Sequence, residues 1–574
     1  MGMSALYAHP VVMVRTGHEN YGKFAETVVP FLTQMGFAFD MVDTASADGG
    51  LAERLAEWPL FVLAHPGCLG EGDDSVWHEA VRRASGRGSG VVSFGEALPP
   101  WSVKSEGGGG SSFVKIRDAR HPVTMLHGRG ERRRHYNLLQ SIRPETVAAG
   151  ETLAALGAEP LLTVCEGEGE RGRIVVWSTM DWARSNVLGP LYGLDDLVWR
   201  SLVWAARKPL VVRSLPPFAT MRVDDVSGFG KRCGGPSALY WLQQCVRLGW
   251  KPWVGLFLDD LERDAVHELR GMIRDGNVTA CPHSFSYWDF IYFRHTPKYA
   301  EKGYWSEPAL CEPIAGEDVL RNARKVEAWY AKYPDLPVSK VFIPHYYELS
   351  SGFLPILKKW GVEFIGSMHP PDQPYRGTMS YGGPYFRTHL PPAHDTPIFY
   401  ADWYPSGNAS FDGTFFASVT EIRDDNGYEW APKRDVDEAI RHGVNQLTRA
   451  FDGQVLAQLF THESGYIQFI PPDRWQAIME GVTEYCASRN ALFVTLDEAM
   501  AYLRDLNRSR LTGSEVDGNG DVILRFAGTS LGATKMAVYA DDTLVPEWHE
   551  VPPFEDGASF RLRPRVAVRG KGGP

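Results

Sequence analysis

The stretch FATMRVDDVSG (residues 218–228) decides how the larger part of the chain is interpreted. Residues 218–223 are mostly apolar and predict a buried β-strand, and Asp224 and Asp225 follow at its C-terminal end. In barrels of parallel strands, that end faces the active site. Consecutive residues of a strand point in different directions, so one carboxylate can bind a metal ion while the other acts as a base. The pair also fits a helix N-cap or a turn, where Asp is common.

Further polar residues stand at the ends of later predicted strands. They are His283 after residues 277–281, His345 and Tyr346 in VFIPHYYE (341–348), Asp402 and Trp403 in IFYADWYP (398–405), and His462 and Glu463 after residues 455–460. Predicted helices lie between these strands, so the pattern indicates parallel βα units. The C-terminal ends of such strands meet at one mouth, where we expect these side chains to lie.

The ordered set of motifs resembles the polysaccharide deacetylase (NodB-homology) family over roughly the second half of the chain. The resemblance rests on Asp-Asp after a strand, His-Ser at residues 283–284, a Pro-bearing loop, Asp-Trp at 402–403 and Leu-x-x-His at 459–462. It implies a distorted (β/α)7 barrel whose first Asp is the general base and whose second Asp binds a divalent metal, zinc or similar, together with histidines. The roles implied here are base for Asp224, metal ligands for Asp225 and His283, and general acid for His462. Asp402 and Trp403 would orient the acid and line the sugar site.

Two positions depart from the family's pattern. Tyr287 stands where a second metal-binding histidine is expected, and Phe342 stands where the Pro loop should carry an arginine. Two protein ligands are two short of a four-coordinate shell. A metal-dependent enzyme therefore predicts that Asp289, His295 or His345 completes the site.

The first part of the chain predicts a separate α/β domain. Apolar runs at residues 11–14, 37–42, 60–64 and 90–94 alternate with helical patterns at 21–34 and 74–84, and a strand at 172–178 precedes a helix at 195–206. This alternation predicts a parallel, flavodoxin-like sheet with helices on both faces. It resembles the glutamine-amidotransferase-like domains that precede some polysaccharide deacetylases. Cys68 beside His65 could be a nucleophile pair, but a packing cysteine in a scaffold domain is the simpler interpretation.

The predicted division is therefore 1–212 for the flavodoxin-like domain, 213–508 for the deacetylase-like barrel and 509–574 for a small β-sandwich. The last segment alternates short strands with turn residues, as in EVDGNGDVILRF (515–526). A chain of 574 residues has room for about two to four domains.

Composition excludes some partners. The net charge of −11 argues against nucleic acid and anionic membranes, which need basic patches. Seven scattered cysteines without a CxxC pair, no signal-like N-terminus and no long apolar run lead us to expect a cytoplasmic protein. A carbohydrate is the expected partner, and a homo-oligomer is left open.

Three functions remain open at this point. The first is metal-dependent removal of acetyl groups from an acetylated (amino) sugar. The second is a metal-independent glycoside hydrolase or lyase whose acid and base come from Asp224, Asp225 and Glu463, since glycosidases place two carboxyls about 5–5.5 Å or about 6.5–9.5 Å apart. The third is a non-catalytic carbohydrate-binding protein that uses its aromatic side chains. Against the third, so many ionisable groups in one cleft are costly to bury without a function. The residues expected to bind substrate are Asp289, His345, Tyr346, Asp402 and Trp403.

Overall fold

The structure is a computed structural model. It describes residues 6–70, 75–105, 113–127, 132–134, 145–166, 171–183, 194–295, 311–367, 370–372, 385–386, 398–399, 401–404, 406–418, 429–452 and 454–564.

The first segment contains thirteen described strands and four helices. The strands are β1 (Leu6–Tyr7), β2 (Val11–Val14), β3 (Asp40–Asp43), β4 (Leu60–Leu63), β5 (Gly90–Phe94), β6 (Ser102–Lys104), β7 (Phe113–Ile116), β8 (Arg132–Arg134), β9 (Thr146–Ala148), β10 (Glu151–Leu156), β11 (Glu159–Cys165), β12 (Ile174–Trp177) and β13 (Leu210–Val212). The helices are α1 (Tyr21–Gln34), α2 (Gly49–Arg54), α3 (Val76–Ser85) and α4 (Asp195–Ala205).

The middle segment contains twelve described strands and seven helices. The strands are β14 (Phe218–Val226), β15 (Trp253–Phe257), β16 (Thr279–Ser284), β17 (Phe293–His295), β18 (Cys311–Pro313), β19 (Val341–Phe342), β20 (Phe364–Ile365), β21 (Tyr385–Phe386), β22 (Ile398–Phe399), β23 (Phe416–Ala417), β24 (Ala457–His462) and β25 (Leu492–Phe493). The helices are α5 (Tyr240–Arg247), α6 (Arg263–Arg274), α7 (Glu317–Tyr330), α8 (Leu354–Lys359), α9 (Val436–Asp452), α10 (Pro472–Ser488) and α11 (Leu496–Arg508). The last segment adds β26 (Ser509–Val516), β27 (Val522–Gly528), β28 (Thr534–Tyr539), β29 (Glu547–Val551) and β30 (Ala558–Leu562).

The chain divides into two compact units. Unit 1 contains residues 1–185, 190–215 and 505–574, and unit 2 contains residues 216–504. The C-terminal strands therefore belong to the same unit as the N-terminal segment. The three-domain division made from the sequence stays a prediction.

Unit 1 is built on a nine-stranded mixed sheet with the order β3-β2-β4-β5-β12-β11-β10-β7-β8. The five strands from β3 to β12 pair in parallel, and numbered along the chain they lie in the order 2-1-3-4-5, which flavodoxin-like sheets share. β2, β4 and β5 are buried at every position, which explains why their sequences are continuous apolar runs.

The antiparallel half of this sheet is the part that the sequence analysis missed. β11, β10, β7 and β8 extend the parallel half, and β10 and β11 form a hairpin whose turn contains Gly157 at φ +62°. The sequence analysis predicted a parallel sheet from the alternation of strands and helices. The strands of a hairpin are joined without a helix, so the antiparallel half does not show that alternation.

Three antiparallel sheets complete unit 1, and the smallest consists of β6 and β9. Of the two larger ones, the first has the order β1-β26-β27-β30 and the second has the order β13-β28-β29. Side chains of both sheets share one hydrophobic cluster, which includes Leu524 and Phe526 from the first and Met536 and Val538 from the second. The short strands predicted at the C-terminus are present, and β1 and β13 from the first segment complete their sheets.

Unit 2 contains two parallel sheets. In the first, β16, β15, β14 and β24 are neighbours in that order, and β25 pairs with the start of β14. The second has the order β19-β20-β23. The N–H of Ser339, just before β19, donates to the carbonyl of Ala280 in β16, so the second sheet follows on from the first. Closure of these strands into a (β/α)7 barrel stays a prediction.

Among the described helices, none combines the length and the apolar character needed to cross a bilayer.

Candidate active site

A cavity of about 550 Å³ lies in unit 2 at the C-terminal ends of β14, β16 and β24. Its lining includes six candidate residues that were selected from the sequence: Asp224, Asp225, His283, His345, Tyr346 and His462. These residues come from four separate segments of the chain. They meet because the carboxyl ends of parallel strands share one edge.

Asp224 is held by a buried arginine from its own strand. Nε and Nη2 of Arg222 donate to the two carboxylate oxygens of Asp224 at 2.8 and 2.5 Å, and both side chains are almost fully buried. Burial opposes ionisation of Asp224, but the guanidinium and the neighbouring His283 lower its pKa to about 2. The carboxylate is therefore ionised at neutral pH and fixed in orientation, as a general base must be.

Asp225 follows Asp224 at a point where the backbone of β14 is irregular. Its φ is +59°, in the left-handed region, and the pairing of β14 with β15 shifts register between Val223 and Val226. Non-glycine residues adopt this conformation at an energetic cost, and such strain concentrates at functional sites. Consecutive side chains of a regular strand point to opposite faces, and the irregularity lets both carboxylates approach the ring of His283.

His283 presents one ring nitrogen to both aspartates. Its Nδ1 donates to the carbonyl of Ile343 at 2.8 Å, and its Nε2 lies 3.5 Å from Asp224 Oδ2 and 3.6 Å from Asp225 Oδ1. Burial lowers the pKa of His283 to about 4, so the ring is neutral at pH 7. A neutral imidazole whose Nδ1 donates to a carbonyl offers the lone pair of Nε2 to a metal.

The neighbouring strand makes room for this ring. A Cβ at Gly255 in β15 would lie 2.9 Å from Cγ of His283. A larger residue at position 255 would therefore displace the imidazole.

His345 is the third member of the cluster. Its Nδ1 lies 3.4 Å from Asp225 Oδ1, and one ligand atom from each of Asp225, His283 and His345 lies within 4.8 Å of the others. Burial opposes ionisation of Asp225, but His345 and the other histidines lower its pKa. Among the described residues, Asp225 Oδ1 is buried without a hydrogen-bond partner. Such an atom is costly to leave unpaired, and a divalent cation would satisfy it.

This group fits a metal by its chemistry. Two imidazoles and one carboxylate are the donor set of many catalytic zinc sites, which keep a further position for water or substrate. Of the three residues predicted to complete the site, the structure brings in His345. Asp289 lies on the surface with its carboxylate 3.4 Å from Lys325 Nζ, and the side chain of His295 is outside the described part of the chain. Tyr287, at the position of the expected histidine, lines the cavity instead.

His462 lies at the end of β24, in register with Asp224 of the neighbouring strand β14, and it lines the cavity. Its Nδ1 is 3.3 Å from Oε2 of Glu429, which also lines the cavity. The expected partner, Asp402, is not part of the described lining, and its Oδ1 accepts a hydrogen bond from the N–H of Trp403. Trp403 stacks on Phe416 with ring centroids 4.3 Å apart.

Glu463 is buried below the cavity and not in its described lining. Its Oε2 accepts hydrogen bonds from the N–H groups of Ser227 and Gly228 at 2.5 and 2.8 Å, and its Oε1 accepts from the indole of Trp241 at 2.8 Å. Burial raises the pKa of Glu463 to about 7, although these hydrogen bonds act in the opposite direction because they favour the ionised form. The carboxylate thus anchors the loop that follows Asp225, and it lacks the exposure that a glycosidase acid needs.

Sequence reasoning missed Arg222 and Glu429. Arg222 pairs with Asp224, and its guanidinium carbon lies 4.1 Å from the centroid of the Phe460 ring. A charged residue inside the otherwise apolar run FATMRV was a usable signal, because a buried arginine needs a partner. For Glu429 there was no local signal.

In unit 1, Cys68 is completely buried, and burial raises the pKa of its thiol well above the usual value. A thiol in that state is a poor nucleophile. Its environment supports the interpretation of Cys68 as a packing residue.

No protein-family model matches the sequence, and no curated protein matches it. The structure is similar to the crystal structure of Agd3, described as a novel carbohydrate deacetylase, with a TM-score of 0.54 over 98% of this chain and 100% of that chain, at 10% sequence identity. This likeness shows a shared fold along nearly the whole length. A structure from Mycobacterium smegmatis, described as a polysaccharide deacetylase, covers 50% of this chain and 89% of its own at 13% identity, and its TM-score of 0.25 is too low to support an argument.

Proposed function

We propose that unit 2 is a metal-dependent hydrolase that removes acetyl groups from an acetylated sugar or oligosaccharide. The observation that carries the proposal is the buried group Asp225, His283 and His345, which lines one cavity together with Asp224 and His462. The shared fold with a carbohydrate deacetylase supports it. On this proposal the two parallel sheets of unit 2 form the deacetylase-like barrel, and the parallel half of the unit 1 sheet is its flavodoxin-like companion.

Each residue has a role that follows from its surroundings. Asp225, His283 and His345 would hold a divalent cation, zinc or similar, which supplies Lewis acidity to polarise an acyl carbonyl and acidify water. Asp224, kept ionised and oriented by Arg222, takes the proton of the attacking water. His462 donates a proton to the atom that leaves the acyl carbon.

Glycosidic cleavage is less well supported by the geometry. It required Glu463 as one of two carboxyl groups in the cleft, and both oxygens of Glu463 already accept hydrogen bonds from the protein. A non-catalytic sugar-binding protein would not require a buried carboxylate and two buried histidines with converging ligand atoms.

The first test is the metal content of protein purified without chelators, measured by elemental mass spectrometry, together with acetate release from acetylated oligosaccharides. We expect close to one zinc, nickel or cobalt ion per chain and release of acetate. Protein that binds no metal even after incubation with zinc would refute the proposal.

Asp224→Asn tests the base. We expect acetate release to fall by about 10²–10⁴-fold with the metal content unchanged, because a general base contributes about that factor. The substitution also leaves the buried Arg222 without its counter-charge, so the melting temperature should fall. Metal content at the assay temperature is therefore the control for an intact site, and retained activity would remove Asp224 from the mechanism.

A further inference from the structure

The strand that carries Asp225 has an extra residue at this point. Asp224 and Asp225 together lie opposite the single residue Gly255 of β15, and Asp225 has a φ of +59°. The extra residue of such a bulge has no partner in the ladder, and its side chain is redirected relative to a regular strand. Contacts from other segments of the chain therefore decide the direction in which Asp225 points.

Glu463 contacts the backbone on both sides of Asp225. Its N–H donates to the carbonyl of Asp224 at 3.0 Å. Its Oε2 accepts hydrogen bonds from the N–H groups of Ser227 and Gly228 at 2.5 and 2.8 Å. Successive N–H groups that converge on one oxygen in this way form an anion-binding nest. One residue thus holds the peptide group before Asp225 and the loop that follows it.

The carboxylate of Glu463 is itself fixed in orientation. The indole of Trp241 in α5 donates to Oε1 at 2.8 Å, and both side chains are 1% exposed. Because the indole occupies one oxygen, the other stays directed at the N–H groups of the loop. A side chain locked by packing and by hydrogen bonds can hold its neighbours in one geometry, which an exposed carboxylate cannot do.

The direction of Asp225 decides whether the three ligand atoms converge. Oδ1 of Asp225 lies 3.6 Å from Nε2 of His283 and 3.4 Å from Nδ1 of His345. Asp224 already faces His283, so a regular strand would turn the side chain of Asp225 to the opposite face, away from both histidines. Convergence of the ligand atoms therefore depends on the bulge and on the residue that holds it.

We infer that Glu463 is a positioning residue for the metal ligand Asp225, and that by holding the bulge it raises the affinity of the site for its cation. The inference rests on the proposed metal site and adds to it a residue that touches neither the cation nor the substrate. Residues that orient metal ligands through hydrogen bonds contribute about 10–100-fold to metal affinity. Glu463 acts one step further back, on the backbone that carries the ligand.

The test is the Kd for zinc of the full-length chain, measured by competition with a chromophoric chelator below the melting transition of each variant. For Glu463→Gln we expect the Kd to rise by about 10–100-fold, because an amide binds the N–H groups of the loop less strongly than a carboxylate does. Acetate release should fall at zinc concentrations between the two Kd values and return to within about tenfold of wild type in excess zinc. The loop keeps another attachment in this variant, since the carbonyl of Ser227 also accepts from the N–H of Glu262 at 3.3 Å.

Glu268→Gln is the matched control. Glu268 in α6 is also a carboxylate of unit 2 that accepts from two successive N–H groups, those of Ala238 and Leu239 at 3.1 and 2.8 Å. It holds the start of α5 and not the backbone of a metal ligand. We expect this variant to lose stability and to keep the zinc affinity of the wild type.

A second variant keeps the test decisive if Glu463→Gln does not fold. Trp241→Phe leaves the carboxylate of Glu463 in place and removes only its indole partner, so zinc affinity should fall in the same direction by a smaller factor. Wild-type zinc affinity in the folded variants at positions 463 and 241, or an equal loss of affinity in Glu268→Gln, would overturn the inference and leave the proposed function standing. A wild type that binds no zinc would overturn the proposed function itself.

Discussion

His65 in unit 1 and His283 in unit 2 lie at similar positions relative to a parallel strand, but the groups that face Nε2 of the two rings differ. Each is buried at or just after the C-terminal end of a parallel strand, and each directs Nδ1 at a backbone carbonyl, at 2.9 Å in His65 and 2.8 Å in His283. Nε2 of His65 accepts a hydrogen bond from the N–H of Arg15, whereas Nε2 of His283 faces Asp224 and Asp225.

The acidic residues differ in the same way. Glu96 in unit 1 accepts a hydrogen bond from the N–H of Gly67, but Oδ1 of Asp225 has no hydrogen-bond partner among the described residues. Buried ionisable groups at strand ends therefore do not by themselves mark a site. What distinguishes unit 2 among the described residues is that ligand atoms of one carboxylate and two histidines lie within 4.8 Å of one another.

The largest expected effect tests this contrast directly. Asp225→Ala removes one of three metal ligands, so the metal content should fall from about one ion per chain to near zero and the rate by about 10³-fold or more. His65→Gln, which alters a buried histidine whose nitrogens are already paired, should leave the metal content unchanged. The measurement is elemental mass spectrometry beside acetate release. Loss of metal in His65→Gln would place the metal site, or a second one, in unit 1.

The next effect concerns stability. Arg222→Met leaves Asp224 buried without its counter-charge, which should lower the free energy of unfolding by about 3–5 kcal/mol. The double variant Arg222→Met/Asp224→Asn removes both charges and should be more stable than Arg222→Met alone. Chemical denaturation of the three proteins measures the difference. If the double variant is no more stable than the single one, Arg222 contributes to stability mainly through packing of its guanidinium against Phe460 and not through its charge.

The smallest effect sharpens the distinction between a structural and a catalytic carboxylate. Glu463→Gln replaces one acceptor by a donor that meets N–H donors, so we expect a loss of about 1–3 kcal/mol in stability. Acetate release measured in excess zinc below the melting transition should change by less than about tenfold, because Glu463 does not touch the cavity. Near-total loss of activity in a folded variant would instead favour the glycosidase alternative.

Much of the fold was predictable because its signals are local. The helix predicted over residues 21–34 is confirmed as Tyr21–Gln34, and the strand at Gly90–Phe94 is confirmed as well. Both have an apolar pattern that a single window of sequence shows. The β10–β11 hairpin was missed because no helix separates its strands and because four successive residues of each strand are buried, without alternation.

The residues of the site were predictable only where they directly follow an apolar strand in the sequence. The pair Asp224 and Asp225, then His283 and His462, stand at the ends of three apolar runs, so their approach to one edge follows from the parallel arrangement. The completing partners do not follow from any spacing. His345 takes the place expected of a residue at position 287, and Glu429 stands beside His462 where Asp402 was expected.

The sequence by itself therefore determined which strands end in chemically active side chains, because strand and side chain are neighbours in the chain. Only the tertiary structure decided which loop supplies the third ligand, which arginine holds Asp224 and which acid faces His462. Those choices depend on distances of a few ångströms between segments far apart in sequence, and such distances are set by how the strands pack and where the backbone bends, as it does at Asp225.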